Sequence, residues 1–305
     1  MAQHVLVTGA SGLVGTQLLE SLNKAGYKIS VLSRSKNSNS LYPVFTWDYA
    51  NNQLEEGALD GVDAIVHLAG AGVADEKWSQ ARKEVILESR TQTSRLLYER
   101  LKEGNHQVKT FVAASAIGIY GNDRGNERLT ERSSVGHDFL AHVTDAWELS
   151  TRRVAELGIR VVHLRIGVVL SHKGGALVKL LEPPVAAGLG KGSQYMSWIH
   201  LADVVGIAIK AIEDEAMEGP YNIVAPTAET NKDLTRAAAK AFGKTFVPFN
   251  VPSKIIKVML GEMASIVLTG SRVSAEKVMK AGYEFEYPKL EKALQHLASQ
   301  PGGAK

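Results

Sequence analysis

The chain has 305 residues, 45% of them hydrophobic, which suffices to bury a full core and excludes a disordered protein. Its 35 Lys and Arg residues against 32 Asp and Glu leave a formal net charge of +3 with no basic run of five, so nucleic acid is not an expected partner. There is no cysteine, which removes disulfides, thiolate metal sites and cysteine nucleophiles together.

Met1-Ala2-Gln3-His4 carries no basic leader region, and no apolar run approaches the roughly 18 residues of a membrane span. A soluble, cytoplasmic protein with no membrane partner is expected. The apolar run Val5–Val7 predicts a first strand. It leads directly into Thr8-Gly9-Ala10-Ser11-Gly12-Leu13-Val14-Gly15, and a helical pattern follows over 12–25 and stops at Gly26. Strand, glycine turn and helix in that order build a phosphate site, because glycines let the backbone approach a pyrophosphate and the helix N-terminus offers unpaired N–H groups. Gly9, Ser11, Gly12, Leu13, Val14 and Gly15 are therefore cofactor-binding candidates. An ordinary tight turn would use the same glycines, but the flanking elements favour a dinucleotide.

A second strand over 29–32 runs into Ser33-Arg34-Ser35-Lys36. In a nucleotide-binding βαβ unit an acid at this place binds the 2′-hydroxyl of NAD, whereas arginine holds the 2′-phosphate of NADP. No acid stands here, so Ser33 and Arg34, with the further charge of Lys36, predict NADP(H); the alternative is that these charges only solvate the start of a loop. A strand over 64–68 ends in Leu68-Ala69-Gly70-Ala71-Gly72, small residues that let backbone pass close to a cofactor or form a close-packed turn. After a helix over 79–102, a strand over 110–114 reaches Ser115, placed to bond a substrate oxygen beside the nicotinamide or simply to form a turn. A helix over 138–157 and a strand over 161–164 complete the series. Continuous Val/Ile/Leu/Ala runs alternating with helices predict an α/β fold, a Rossmann-type doubly wound parallel sheet.

Beyond residue 166 glycine and proline clusters mark loops and short elements, with a helix over 201–213 and a strand over 220–224. The expected organisation is a nucleotide-binding core over 1–165 to which 201–225 returns. A smaller, discontinuous C-terminal substrate lobe takes 166–200 and 226–298, and 299–305 forms a frayed tail. The run Gly188–Gly192 and Gln194 precede Trp198 and His200, giving three substrate candidates: Gln194, Trp198 and His200. No histidine and carboxylate spacing fits a metal site, and neither a Gly-x-Ser-x-Gly elbow nor a Walker lysine is present.

Several motifs carry a family resemblance: Gly9/Gly12/Gly15, Lys77-Trp78-Ser79 leading into Ser89-Arg90-Thr91, Ser115-Ala116 with Tyr120-Gly121, Trp147-Glu148, Leu164–Leu170, Ser197-Trp198-Ile199-His200 and Gly219-Pro220-Tyr221-Asn222. Over about residues 3–297 the chain resembles the extended short-chain dehydrogenase/reductases of nucleotide-sugar-epimerase type. Within these it is most similar to the atypical epimerase-family proteins. The resemblance implies a Rossmann core, a C-terminal substrate lobe and NADP-dependent oxidoreductase or epimerase-like activity. Active members of the superfamily use a Tyr-x-x-x-Lys pair on the helix after the serine strand. Here the corresponding positions fall near Leu140 and Thr144, and there is no lysine between Lys109 and Lys173. Two expectations follow: an enzyme in which Ser115 orients the reacting oxygen and Tyr120 acts as acid or base, with His137, His142 and His200 as weaker candidates, or an NADP(H)-binding regulatory or sensor protein with little turnover.

Overall fold

The computed structural model describes residues 3–36, 40–122 and 124–300. Its strands are His4–Thr8 (β1), Lys28–Ser33 (β2), Val44–Asp48 (β3), Gln53–Leu54 (β4), Ala64–His67 (β5), Thr110–Ala116 (β6), Arg160–Ile166 (β7) and Gly219–Ile223 (β8). They form one sheet in the order β8-β7-β6-β5-β1-β2-β3-β4. Every neighbouring pair is parallel except β3 with β4.

The helices that cover this sheet are Leu13–Lys24 (α1), Gln80–Lys102 (α2), Phe139–Arg152 (α3) and Leu201–Glu213 (α4). Successive side chains of β1 point to opposite faces and feed different cores. Val5 and Val7 pack with Leu18 and Leu22 of α1 and with Val204 and Ile207 of α4, while Leu6 packs with Phe111 and with Leu96, Leu97 and Leu101 of α2. Burial on both faces is why these strands read as unbroken apolar runs. From β1 the chain winds outward through β2 and β3 on one side and through β5, β6 and β7 on the other. The carboxyl ends of β1 and β5 therefore frame a topological switch point, where open α/β sheets hold ligands.

Some boundaries differ from the sequence expectation for local reasons. Ser79 and Asp138 are not helical but cap the following helices, accepting from Arg82 N and Ala141 N at 3.1 Å each. The expected helix over 138–157 becomes α3 and a 3₁₀ turn over Arg153–Leu157, closed by Gly158 at φ +77°. β3 and β4 were not expected, because Val44–Asp48 mixes apolar and polar residues at a half-buried edge.

A third apolar cluster draws on both 166–200 and 226–298, while Ile199, Val273, Ala275 and Val278 of the same segments join the first cluster. Leu170, Leu177, Leu181 and Trp198 meet Leu234 and Ala238, and all pack on Leu290, Leu294 and Leu297 of the helix Leu290–Ser299 (α5). Val168–Leu170 and Trp198–His200 form a parallel pair, and Ala186–Leu189 pairs with Phe246–Val251. Of the expected tail, Ser299 ends α5 while 301–305 lie outside the described residues. No described helix is long and apolar enough to cross a membrane.

Candidate functional site

The glycine turn works by close approach. Gly9 sits at φ +66°, and a Cβ there would stand 2.7 Å from the Leu68 carbonyl; a Cβ on Gly15 would stand 2.3 Å from Gly9 O. Thr8 fixes the same crossing, its Oγ1 accepting from Leu68 N and Ala69 N at 3.1 Å each and contacting His67 Nδ1 at 2.8 Å. The ends of β1 and β5 are thus stitched together beneath the turn. Gly12 is the N-cap of α1 and provides no side-chain hydrogen bond, unlike Ser79 at α2 and Asp138 at α3. The first turn of α1 keeps N–H groups for an anion.

Above this crossing lies a cleft of about 630 Å³ whose wall includes Gly9, Ser11, Gly12, Ser33, Arg34, Leu68, Ala69 and Gly70. Eight of the cofactor candidates therefore meet in one place although they come from three segments of the chain. Leu13, Val14, Gly15 and Ser115 are not on that wall. Gly15 instead lets α1 pack onto the turn. The cleft also includes Trp47, Tyr49, Asp75, Glu76, Arg82 and Ser89, none of which carried a sequence signal for binding. Lys36 does not add a free charge: it pairs with Glu55 and donates to Val44 O at 2.8 Å. Its bond, with those from Thr46, holds the Glu55 carboxyl down at about 2.

The proposed catalytic residues lie in a buried polar chain. Ser115, 3% exposed, donates to Glu148 Oε1 at 2.6 Å, and Arg165 donates to both Glu148 oxygens at 2.8 Å. Arg165 Nη1 also donates to Tyr120 Oη at 3.0 Å, and Tyr120 donates to Asn222 Oδ1 at 2.6 Å. Burial raises the Glu148 pKa, but the two Arg165 bonds and the Arg165 charge outweigh it and hold the carboxyl below its ordinary value. Burial pushes the Tyr120 hydroxyl up, against the opposing pull of Arg165.

Tyr120, the expected acid/base, and Ser115, the expected orienting residue, are thus both buried, with their hydroxyl protons given to Asn222 and Glu148. Trp198 and His200, the other substrate candidates, are on the wall of neither this cleft nor the cavity that Gln194 lines. Trp198 is fully buried in the third cluster. His200 caps α4 through Ala202 N, contacts His296 Nδ1 at 3.1 Å, and lies 3.9 Å from the Tyr287 ring. Gln194 does line a cavity, a second one of about 830 Å³ in the C-terminal part with Lys191, Lys257, Glu262 and Thr269. Its Nε2 donates to Leu189 O and Val267 O, while Oε1 is buried without a hydrogen-bond partner among the described residues. Leu140 and Thr144, near which the sequence register put the usual pair, stand beside Gly118. The Thr144 hydroxyl donates to Leu140 O at 2.7 Å within its own helix.

The cleft fits a dinucleotide on this geometry: an uncapped helix start, a turn of small residues and a cation after β2 succeed one another along its wall. Residues 5–224 match the family described as NAD dependent epimerase/dehydratase, and residues 251–297 match a domain of unknown function, DUF1731. The chain belongs to the NAD-dependent epimerase/dehydratase family. An epimerase family protein of Staphylococcus aureus is 31% identical across 98% of this chain and its own full length. A relative of the same description from Mycobacterium bovis is 34% identical, covering 98% of both chains. Among solved structures, a human epimerase family protein crystallised with NADPH superposes with TM-score 0.88 at 28% identity, over 98% of this chain and all of that one. A nucleoside-diphosphate sugar epimerase from Corynebacterium glutamicum gives 0.79 at 32% identity, over 98% of this chain and 58% of the other.

Proposed function

We propose that this protein is an NADP(H)-dependent oxidoreductase or epimerase-like enzyme acting on a small polar or nucleotide-sugar-like substrate. The observation that carries the proposal is the convergence of Gly9–Gly12, Ser33–Arg34 and Leu68–Gly70 on one cleft. The human relative crystallised with NADPH supports the choice of cofactor. In this reading the α1 N-terminus holds the diphosphate, Arg34 the 2′-phosphate and Leu68–Gly70 the backbone edge of the cofactor. A bound nicotinamide supplies a hydride donor or acceptor. Ser115 orients the reacting oxygen from the end of β6, with its own hydroxyl set by Glu148, and the cavity around Gln194 takes the distal part of the substrate.

Arg34 is exposed at the cleft edge and takes part in none of the ion pairs among the described residues. Calorimetric titration of the cofactor-stripped chain tests the nucleotide assignment. NADPH is expected to bind more tightly than NADH, and Arg34→Ala to weaken NADPH by about ten-fold or more while leaving NADH nearly unchanged, the scale of one hydrogen bond to a charged group. Equal loss for both cofactors would refute the 2′-phosphate assignment.

A second reading, an NADP(H)-binding sensor with little turnover, is favoured by Leu140 and Thr144 standing near the usual catalytic positions. Ser115→Ala separates the two. In the enzyme it lowers kcat by about 100-fold with NADPH affinity kept. Absence of NADPH turnover in the unaltered chain across a panel of nucleotide sugars and small carbonyl compounds favours the sensor.

A further inference from the structure

The cleft wall is short of free positive charge in a way that only tertiary contacts reveal. The charged side chains on its wall are Arg34, Arg82, Asp75 and Glu76, which cancel. Arg82 is already engaged, 3.4 Å from Glu76 and 3.7 Å from Asp75, and its Nη2 donates to Gly72 O at 2.7 Å. With Arg34 at the adenosine end, no uncommitted cation on the wall faces a dinucleotide's diphosphate.

Arg90, two helical turns along α2 from Arg82, is an unpaired cation immediately behind that wall. A Cβ on Gly70 would stand 3.1 Å from the Arg90 Cζ, so the guanidinium rests directly against a residue with no side chain. Gly70 itself faces the cleft, one residue beyond the Leu68–Ala69 contact with Gly9. The guanidinium also lies 5.0 Å from the Trp147 ring centroid, and its hydrogen bond among the described residues is from Nη1 to Ile86 O at 2.8 Å. It enters none of the ion pairs among the described residues. Burial and the nearby Arg82 charge bring its pKa down to about 10, so it stays a cation at neutral pH. A largely desolvated charge without a counter-charge is costly, and such groups belong at ligand sites.

We propose that Arg90 is a cofactor-binding residue, its guanidinium reaching across Gly70 to supply the counter-charge for the dinucleotide's diphosphate. The proposal rests on the cofactor assignment above and adds a binding group from α2 to a site otherwise built from the β1, β2 and β5 ends. Ser89, the preceding residue, holds the same loop in place by accepting from Ala71 N at 3.0 Å.

The test is a comparison of the unaltered chain with Arg90→Met and Arg90→Gln. Three probes are titrated: NADPH, 2′-phospho-ADP-ribose, which keeps the diphosphate, and adenosine 2′-monophosphate, which lacks it. Both variants are expected to bind the first two about ten-fold or more weakly, by similar factors, and the third unchanged. The unliganded Arg90→Met protein should melt at the same temperature as the parent or higher, because methionine of similar length replaces a charge that nothing pairs. Unchanged affinity for NADPH, equal loss for all three probes, or a lowered melting temperature in both variants would overturn the assignment. Failure of the unaltered chain to bind NADPH would remove the cofactor reading and this proposal together.

Discussion

Removing the Glu148 carboxylate, as in Glu148→Ala, is expected to cost about 3–5 kcal/mol of folding stability, the scale of a buried ion pair broken from one side. Glu148 is 1% exposed, and the Arg165 side chain 7%. Without Glu148, the hydrogen bonds left to the Arg165 side chain among the described residues are to Tyr120 Oη and the Glu131 carbonyl, at 3.0 and 3.2 Å, and its charge is stranded in the core. Burial opposes the Arg165 charge, and the bonds to Glu148 are the leading contribution that holds it in place. Urea denaturation would read the loss directly. The double variant Glu148→Met/Arg165→Met should recover most of it, because two apolar side chains of similar size need no mutual compensation. A loss below about 1 kcal/mol for the single variant would show that the pair is not desolvated as described. The network has a functional side as well. It ties Ser115 at the end of β6 to α3, β7 and Asn222 of β8, so the double variant should fold yet leave the Ser115 hydroxyl without its orienting partner.

The parts of this architecture that a sequence displays are those fixed by local rules. β1, β5 and β6 were legible because burial on both faces forces unbroken apolar residues, and the glycine turn because Gly9 and Gly15 stand where a Cβ would strike backbone. Polar residues behaved differently, since their roles depend on distant partners. Tyr120 donates to Asn222, 102 positions away, and His200 meets His296, 96 positions away. Nothing near either residue in sequence announces these contacts. Lys36 looked like a phosphate ligand until folding brought Glu55 to it. Arg90 stood in the motif Ser89-Arg90-Thr91 without a role until Gly70 came to rest against it. Trp47 and Tyr49 reached the cleft from β3 and the residue after it, a stretch too mixed in apolar and polar residues to be read.

A marked loss of stability on mild acidification is the other large expected effect. His67, His163 and His200 are all at most 3% exposed. Burial pushes His67 down to about 3. Burial, only partly opposed by Glu148, takes His163 to about 4. Burial with the charges of His296 and His172 takes His200 to about 3. Each is accommodated as a neutral ring: His67 between Thr8 and the hydroxyls of Thr93 and Ser94, His163 against Thr151 Oγ1 at 2.8 Å. The unfolded chain takes up these three protons near pH 6.5, while the folded chain does not until far lower pH. Stability from this source is complete above pH 6.5, falls as the pH drops below it, and levels off only near the folded values of 3 to 4. Three protons correspond to a limiting slope of about 4 kcal/mol per pH unit, and to about 6 kcal/mol lost by pH 5. Asp203, whose carboxyl is raised by burial, offsets a small part of this at the acid end. That loss rivals the whole stability of an ordinary domain, so urea midpoints measured between pH 7.5 and 5 should fall steeply below 6.5. His67→Gln, which keeps hydrogen-bonding capacity but cannot be protonated, should reduce the slope by about one third. A flat profile down to pH 5 would mean that the folded protein binds these protons too, and that the three rings are not held neutral by their surroundings.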